Sequence, residues 1–192
     1  MRLMKKLWRL IIEGVSTLVN RLRTQGLKTT LMWVYGRGLP FLTGIPTMQF
    51  SRITPQIYVG PQYKAAGKRK LQHCGINAGV NMRCEFDDAA HGLALEKYCH
   101  LPTVDDTAPT LEHIRKGIDF IRDVVNDGGK VYIHCAGGIG RAPTIAAAYF
   151  MSRGYTLEEA IALIKKARPF INIMPPQMEQ LKRFEAILEE SS

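Results

Sequence analysis

Residues 130–143 read KVYIHCAGGIGRAP, and the succession of residue types in this run decides the fold around it. Lys130 to Cys135 is apolar and β-branched and follows the turn signal Asp127-Gly128-Gly129, which predicts a buried strand. Ala142 to Met151 is rich in alanine, carries Pro143 near the first helical position and stops at Gly154, which predicts a helix. Between the two, Gly137, Gly138 and Gly140 let successive backbone N–H groups turn inward at a helix N-terminus, an anion nest. The same positive end favours the ionised thiol of Cys135 and makes it a nucleophile. Arg141, six positions later, supplies a planar fork that grips two phosphate oxygens and neutralises transition-state charge, which a lysine would do less well. The expected phosphate-binding set is Ala136, Gly137, Gly138, Ile139, Gly140 and Arg141. His134 has two readings: it orients the loop through a hydrogen bond, or it simply ends a strand.

A glycine turn before a helix also serves nucleotides, but no Lys-Ser/Thr pair follows these glycines, which excludes a Walker loop. A cysteine ending a buried strand is often inert. Three glycines and a terminal arginine fit phosphate better than the cysteine loop of rhodanese-like domains. The run resembles the signature loop of the cysteine-dependent protein tyrosine phosphatase superfamily, dual-specificity branch. That resemblance implies that Cys135 is the nucleophile, Arg141 the phosphate clamp and phosphocysteine the intermediate. It also implies that no metal or cofactor is needed, and that an aspartate on a loop protonates the leaving oxygen and then activates water.

Leu101 to Thr110 (LPTVDDTAPT) offers that aspartate between two prolines, on a loop expected to join a strand near Tyr98 to a helix from Leu111. Asp105 and Asp106 are both candidates, since neighbouring carboxylates raise one another's proton affinity; at least one of the pair is expected to cap the turn or the helix. Two subfamilies pull apart here. The loop ending Arg141-Ala142-Pro143, Val104 to Pro109 and Arg83-Cys84-Glu85 resemble the phosphatases of regenerating liver, which implies Asp106 as acid and Cys84 as a redox partner of Cys135. Arg52 to Gly60, Gly79 to Glu85, Leu101 to Asp105, Thr156 to Ala160 and the stretch Thr30 to Arg37 resemble the mitochondrial-type phosphatases of phosphatidylglycerophosphate, which implies Asp105.

Two departures from the superfamily pattern carry expectations. Ala142 stands where most members have Ser or Thr to help the thiolate leave, so phosphocysteine should break down slowly unless Thr144 compensates. Ala136 and Ile139 stand where phosphatases of highly charged inositides tend to carry lysine, so phosphoproteins and singly phosphorylated lipids remain as substrates, taken into a shallow cleft.

The 192-residue chain is long enough for one buried domain and an appendage, and its 46% hydrophobic content suits a globular protein. Two regions are expected: a basic amphipathic N-terminal extension (1–50) and a catalytic domain (51–192). The fold class is α/β, a mostly parallel central sheet flanked by helices, with strands near Gln56 to Gly60, Gly75 to Met82 and Tyr98 and the one ending at Cys135. Helices are expected around Tyr63 to His73 and from Leu111 to Asn126, with Ile114, Ile118, Ile121 and Val125 on its core face, and three more in the C-terminal third. Thr156 with Glu159 makes a capping box, and Pro169 ends that helix. Such sheets bind ligands at the carboxyl ends of their strands, where Cys135 and Cys84 would emerge.

Four cysteines without an evident signal peptide argue for a reducing, cytoplasmic compartment, and Cys74, Cys84, Cys99 and Cys135 lack zinc-site spacing. Cys74 and Cys99 are expected to be buried structural residues. In residues 1–23, Leu3, Leu7, Leu10, Ile11, Leu18 and Leu22 fall near one helical face, with Arg2, Lys5, Lys6, Arg9, Arg21 and Arg23 for another. The apolar run is too short to span a bilayer and is broken by Glu13. An interfacial helix is therefore expected, making residues 1–45 a peripheral contact with an anionic membrane; packing on the domain is the other reading. Trp33, Tyr35, Pro40 and Phe41 extend the apolar character as an anchor or as a lid over the pocket. A net charge of +9 without a nucleic-acid motif points to phosphate-bearing substrates or lipid headgroups. Lys64, Lys68, Arg69 and Lys70 form either a second basic patch or a solvated helix face. Two functions follow: a hydrolase of phosphoprotein or phospholipid monoesters, or a low-turnover phosphate-binding or partner-regulating module.

Overall fold

The computed structural model describes the backbone of residues 2–190 and the side chains of residues 16–190. Four strands, β1 (Ile57–Pro61), β2 (Ala78–Arg83), β3 (Lys97–Thr103) and β4 (Val131–Cys135), form one sheet in the order β1-β4-β2-β3. Every ladder is parallel, with Gly60 and Asn81 paired to His134 along the two edges of β4. Among the described residues the antiparallel contribution is a single bridge, Arg52 to Tyr58. The α/β class with an N-terminal helix is as read from the sequence.

Seven α-helices accompany the sheet among the described residues: α1 (Arg2–Trp33), α2 (Leu39–Thr43), α3 (Ala65–His73), α4 (Leu111–Asn126), α5 (Arg141–Met151), α6 (Leu157–Ala167) and α7 (Pro175–Glu190). Helix α5 follows β4 after a five-residue loop, and every one of its residues is buried. Its run Ala146-Ala147-Ala148 lets it lie close to the sheet while α4, α6 and α7 pack around it. Thr110 caps α4 by accepting from His113 N at 3.1 Å, and Thr156 with Glu159 forms the expected capping box of α6.

Several expectations shift. Strand β2 starts at Ala78 rather than Gly75, because Gly75 takes φ +73° in a turn and Ile76 packs into a separate cluster with Leu71, Tyr63 and Tyr132. On α4 the core stripe is Ile114, Gly117, Ile118, Ile121 and Val124, with Val125 only half-buried at its edge. The cap of α4 is Thr110, so neither Asp105 nor Asp106 serves it.

The N-terminal region differs most. Gly26 (φ 77°, ψ 169°) breaks α1, which then runs into a π-helical turn at Val34–Gly38 and the short α2. Arg21, expected on an outward basic face, is instead buried: its guanidinium lies 4.8 Å from the Trp33 ring centroid and donates to Gln25 Oε1 at 3.0 Å and to Phe170 O at 3.4 Å. The outward positions carry apolar side chains, Val19, Leu22, Leu27 and Leu31. Leu3, Leu7, Leu10, Ile11, Arg2, Lys5, Lys6 and Arg9 lie outside the residues whose side chains are described. No helix among the described residues is long and apolar enough to cross a membrane.

Candidate active site

Cys135 ends β4 and Arg141 opens α5, so residues 136–140 bridge strand to helix at the carboxyl edge of the sheet. The carbonyls of this bridge are all engaged on its outer side. Ala136 O accepts from Gln62 N (3.3 Å), Gly137 O and Gly138 O from Arg168 (3.4 and 3.0 Å), Ile139 O from Asn172 N (2.7 Å), and Gly140 O from Thr144 N (3.0 Å). In a planar trans peptide the N–H points opposite to the C=O, so the amides of residues 137–141 turn to the inner side. There Gly138 N donates to Cys135 Sγ at 3.2 Å. Amides turned inward on this loop have the arrangement of an anion cradle.

Glycine is required at position 138, which has φ 64° and where a Cβ would run into the Gly60 backbone. Below the loop lies Arg168, wholly buried, its third nitrogen donating to Phe50 O at 2.7 Å. Burial without a carboxylate partner lowers its pKa to about 10.

Arg141 points into the cradle and is itself 0% exposed. Nη1 and Nη2 grip Glu85 at 2.9 and 3.0 Å, Nη1 also donates to Thr103 O at 2.8 Å, and Nη2 meets Asp105 Oδ1 at 2.9 Å. Burial works against its charge, but Glu85, Cys135 and Asp105 outweigh it and hold the guanidinium above its ordinary pKa. Glu85 reaches the site because β2 is bulged between Asn81 and Arg83, with Asn81 bonding Phe86 O (2.7 Å) and Arg83 N (2.9 Å) across the turn. Partial burial opposes ionisation of Glu85, yet its bonds to Arg141 and Arg83 bring its pKa down to about 2.

The two candidate acids separate cleanly. Asp105 touches Arg141; Asp106, exposed and held at φ 60°, has no contact with the cradle. His134 is buried between Tyr63 and Tyr132, with ring centroids 5.1 and 5.9 Å away, and its Nε2 lies 2.8 Å from Asp88 Oδ2. Burial would neutralise Asp88, but His134, Gln62 and Tyr63 keep its carboxyl below the usual range. His134 is thus part of a buried pair behind the loop and makes no contact with the sulfur.

The Thr144 hydroxyl donates to Gly140 O at 2.9 Å. Cys84 is exposed at the same sheet edge, with Sγ 3.6 Å from Glu85 Oε2, and Cys84 and Cys135 are both free thiols. Cys99 is buried, whereas Cys74 is only partly so. No metal-holding cluster of His, Cys, Asp or Glu occurs among the described residues.

The family model described as dual specificity phosphatase, catalytic domain, matches residues 57–187. The chain belongs to the dual-specificity phosphatase family. Among curated members of this family it is 34% identical to human dual specificity protein phosphatase 1 over 136 residues, 70% of this chain and 36% of that protein. Dual specificity protein phosphatase 1-A of Xenopus laevis is 35% identical over the same share of each. The chain therefore spans about a third of these relatives. Among solved structures, that of PTPMT1 in complex with PI(5)P superposes with a TM-score of 0.65 at 28% identity, over 73% of this chain and 97% of that one.

Of the residues named from the sequence, the structure brings Arg141 and Asp105 into contact beside Cys135 and leaves Asp106 apart; Glu85, Asp88 and Arg168 were not named as site residues. Glu85 was legible only as part of a family resemblance. Arg168 looks like any basic residue closing a helix before proline.

Proposed function

We propose that this chain hydrolyses phosphoric monoesters through a phosphocysteine intermediate. The observation that carries the reading is the Gly138 amide on Cys135 Sγ, in a loop whose carbonyls are tied away from the sulfur, with Arg141 buried beside it. The Cys135 thiolate attacks phosphorus while the inward amides and Arg141 hold the equatorial oxygens, and Asp105 delivers a proton to the leaving oxygen. The sulfur–phosphorus bond forms as the ester bond breaks. An incoming dianion competes with Asp105 for Arg141. Asp105, then ionised, takes a proton from the water that cleaves the phosphocysteine.

The substrates of this reading are phosphoproteins or phospholipid monoesters. Exposed Leu27, Leu31, Leu39, Phe41 and Leu42, in a chain of charge +9, support peripheral contact with an anionic membrane facing a reducing compartment. With Cys84 at the same sheet edge, peroxide is proposed to convert Cys135 to a sulfenic acid that condenses with Cys84, releasing water; peptide mapping that finds only sulfinic Cys135 refutes this pairing.

The test is hydrolysis of p-nitrophenyl phosphate with chelator present by the native protein, Cys135→Ser and Arg141→Ala. Activity lost in both variants is expected; activity retained in either overturns the mechanism. Ala142 with an engaged Thr144 hydroxyl favours a second reading, a slow or phosphate-trapping module, for which negligible turnover with one trapped phosphate per chain is the signature.

A further inference from the structure

Strands β1 and β2 flank β4 on its two edges, so Gln62, the first residue beyond β1, and Arg83, the last of β2, stand on either side of the strand that delivers Cys135. Neighbouring strands lie about 4.8 Å apart, which separates these two backbones by about 10 Å, a gap that only long side chains close. They do close it: Arg83 Nη1 donates to Gln62 Oε1 at 3.1 Å. The bridge lies beside Ala136, the first residue of the catalytic loop, whose carbonyl accepts from Gln62 N at 3.3 Å.

Each partner is tied further. Gln62 Nε2 donates to Asp88 Oδ1 at 2.8 Å and to Tyr63 O at 3.1 Å. Both of these are acceptors and the Arg83 guanidinium is a donor only, so the Gln62 amide has a single orientation. Asp88 in turn holds His134, whose Nε2 lies 2.8 Å from Oδ2. At the other end Arg83 Nε donates to Glu85 Oε1 at 2.9 Å, and the same oxygen accepts from Arg141 Nη2 at 3.0 Å. Arg83 is steadied by the Phe86 ring, 5.0 Å from its guanidinium, and by Asn81, which accepts from its main-chain N. The contacts close a circuit. His134 and Arg141 bracket the catalytic loop in sequence, and Asp88, Gln62, Arg83 and Glu85 join them through side chains alone.

We propose that Gln62 and Arg83 are positioning residues: their bridge holds Glu85 on Arg141 and thereby fixes the clamp for a phosphate dianion. The inference rests on the hydrolase reading and adds to it two residues that reach the clamp only through Glu85. Glu85 needs such support, since its side chain is 40% exposed and follows the bulge of β2, whereas the Arg141 it orients is buried. Nη1 and Nη2 of Arg141 are occupied by Glu85, Thr103 O and Asp105, and its buried Nε has no partner among the described residues. That donor meets a phosphate oxygen reproducibly only while the rest of the fork is kept from turning. Arg83 carries the role because one planar guanidinium serves Gln62 and Glu85 at once, which a point charge on a flexible stem does less well.

Tungstate, a tetrahedral dianion, reports on the clamp without turnover. In calorimetric titrations of the full chain, Arg83→Ala should raise its Kd about fivefold. Gln62→Met, which removes no charge and keeps the side-chain length, should raise it about threefold, because part of a bond to a charged group is lost at one remove. In a Glu85→Ala background the Arg83→Ala effect should shrink below about twofold, since the link it acts through is gone. Equal losses in both backgrounds mean that Arg83 attracts the anion by its own charge, and overturn the proposal; so does unchanged affinity in Gln62→Met. Thermal midpoints confirm that each variant is folded. Should Glu85→Ala fail to fold, Arg83→Lys decides beside Gln62→Met: affinity restored in full overturns the bridge, and recovery of less than half supports it. Native protein that takes up no tungstate overturns the clamp and the proposal together. A chain that binds tungstate but hydrolyses no monoester refutes the hydrolase reading alone and leaves the comparison of variants intact.

Discussion

Arg141 and Arg168 are both buried beside the catalytic loop, yet they differ in what they hold: Arg168 bonds the loop's carbonyls, and Arg141 bonds groups from other parts of the chain. Arg168 sits beneath the loop and bonds only carbonyl oxygens, with no carboxylate to neutralise it, and its charge is correspondingly destabilised. Arg141 also bonds one carbonyl closely, Thr103 O at 2.8 Å, but adds carboxylates that are 40% and 68% exposed, and its charge is reinforced. Fixed carbonyls below make a permanent scaffold. Solvent-accessible carboxylates above make a set of partners that an incoming phosphate can displace. The floor determines the loop's shape, and the mouth determines what the shape does.

The sharpest way to break this comparison is at the mouth. On substrates with a poor leaving group, Asp105→Asn should lower kcat by roughly 100-fold, the usual scale of a lost general acid, and Asp106→Asn by less than about twofold. Equal effects would remove the distinction drawn from the Asp105 contact with Arg141. At the floor, Arg168→Met leaves buried carbonyls without donors and should cost about 3 kcal/mol of stability, since bonds from a charged donor contribute roughly 1.5–3 kcal/mol each. A thermal midpoint lowered by roughly 10 °C follows for a chain of this size. Arg141→Ala should shift the midpoint far less while abolishing turnover; similar midpoints for the two variants would merge floor and mouth.

A smaller effect concerns turnover. Because no hydroxyl follows Arg141 and that of Thr144 is engaged, rapid-mixing experiments should show a burst of p-nitrophenol followed by a slower steady rate. Ala142→Ser should raise the steady rate by roughly threefold and shrink the burst, as a group that assists the leaving thiolate would. Linear progress from the first turnover in the native protein contradicts the slow step.

The smallest effect is on pH dependence. The carboxyl of Glu85 titrates lower in the folded chain, at about 2 against an ordinary 4.5, so its contribution to stability is complete above about pH 4.5 and fades as pH falls towards 2. Its 40% exposure screens the pair and limits the contribution to about 1 kcal/mol. Between pH 5 and 2.5, Glu85→Gln should therefore lose stability less steeply than the native chain in acid-unfolding curves followed by circular dichroism. Parallel curves would show that the pair contributes nothing.

What could be read in the sequence was whatever is written locally. Helix α4 falls at Leu111–Asn126 as expected because a threonine cap and a 3.6-residue apolar stripe agree over its length. The cradle was legible because its residues are contiguous and glycine occupies the position of positive φ. Asp88 with His134, Glu85 with Arg141 and Arg168 with the loop were not, because each pair joins distant parts of the chain and a charged residue alone does not announce its partner. The N-terminal helix was read with its basic side outward. Trp33 and the Phe170 carbonyl claimed Arg21, and tertiary contacts overrode the helical pattern there.

The close approach of Gly138 to Gly60 ties two distant positions into one constraint. Gly60 is hemmed in further by the Tyr132 hydroxyl, which bonds Pro61 O at 2.8 Å. In a saturation library selected for function, both codons should stay fixed as glycine, position 138 because a side chain there meets the Gly60 backbone and position 60 because one there meets the Tyr132 ring and hydroxyl. Position 60 would then mimic a catalytic residue in a tolerance map although its place is behind the cradle, and only a measurement of fold stability would tell the two kinds of intolerance apart.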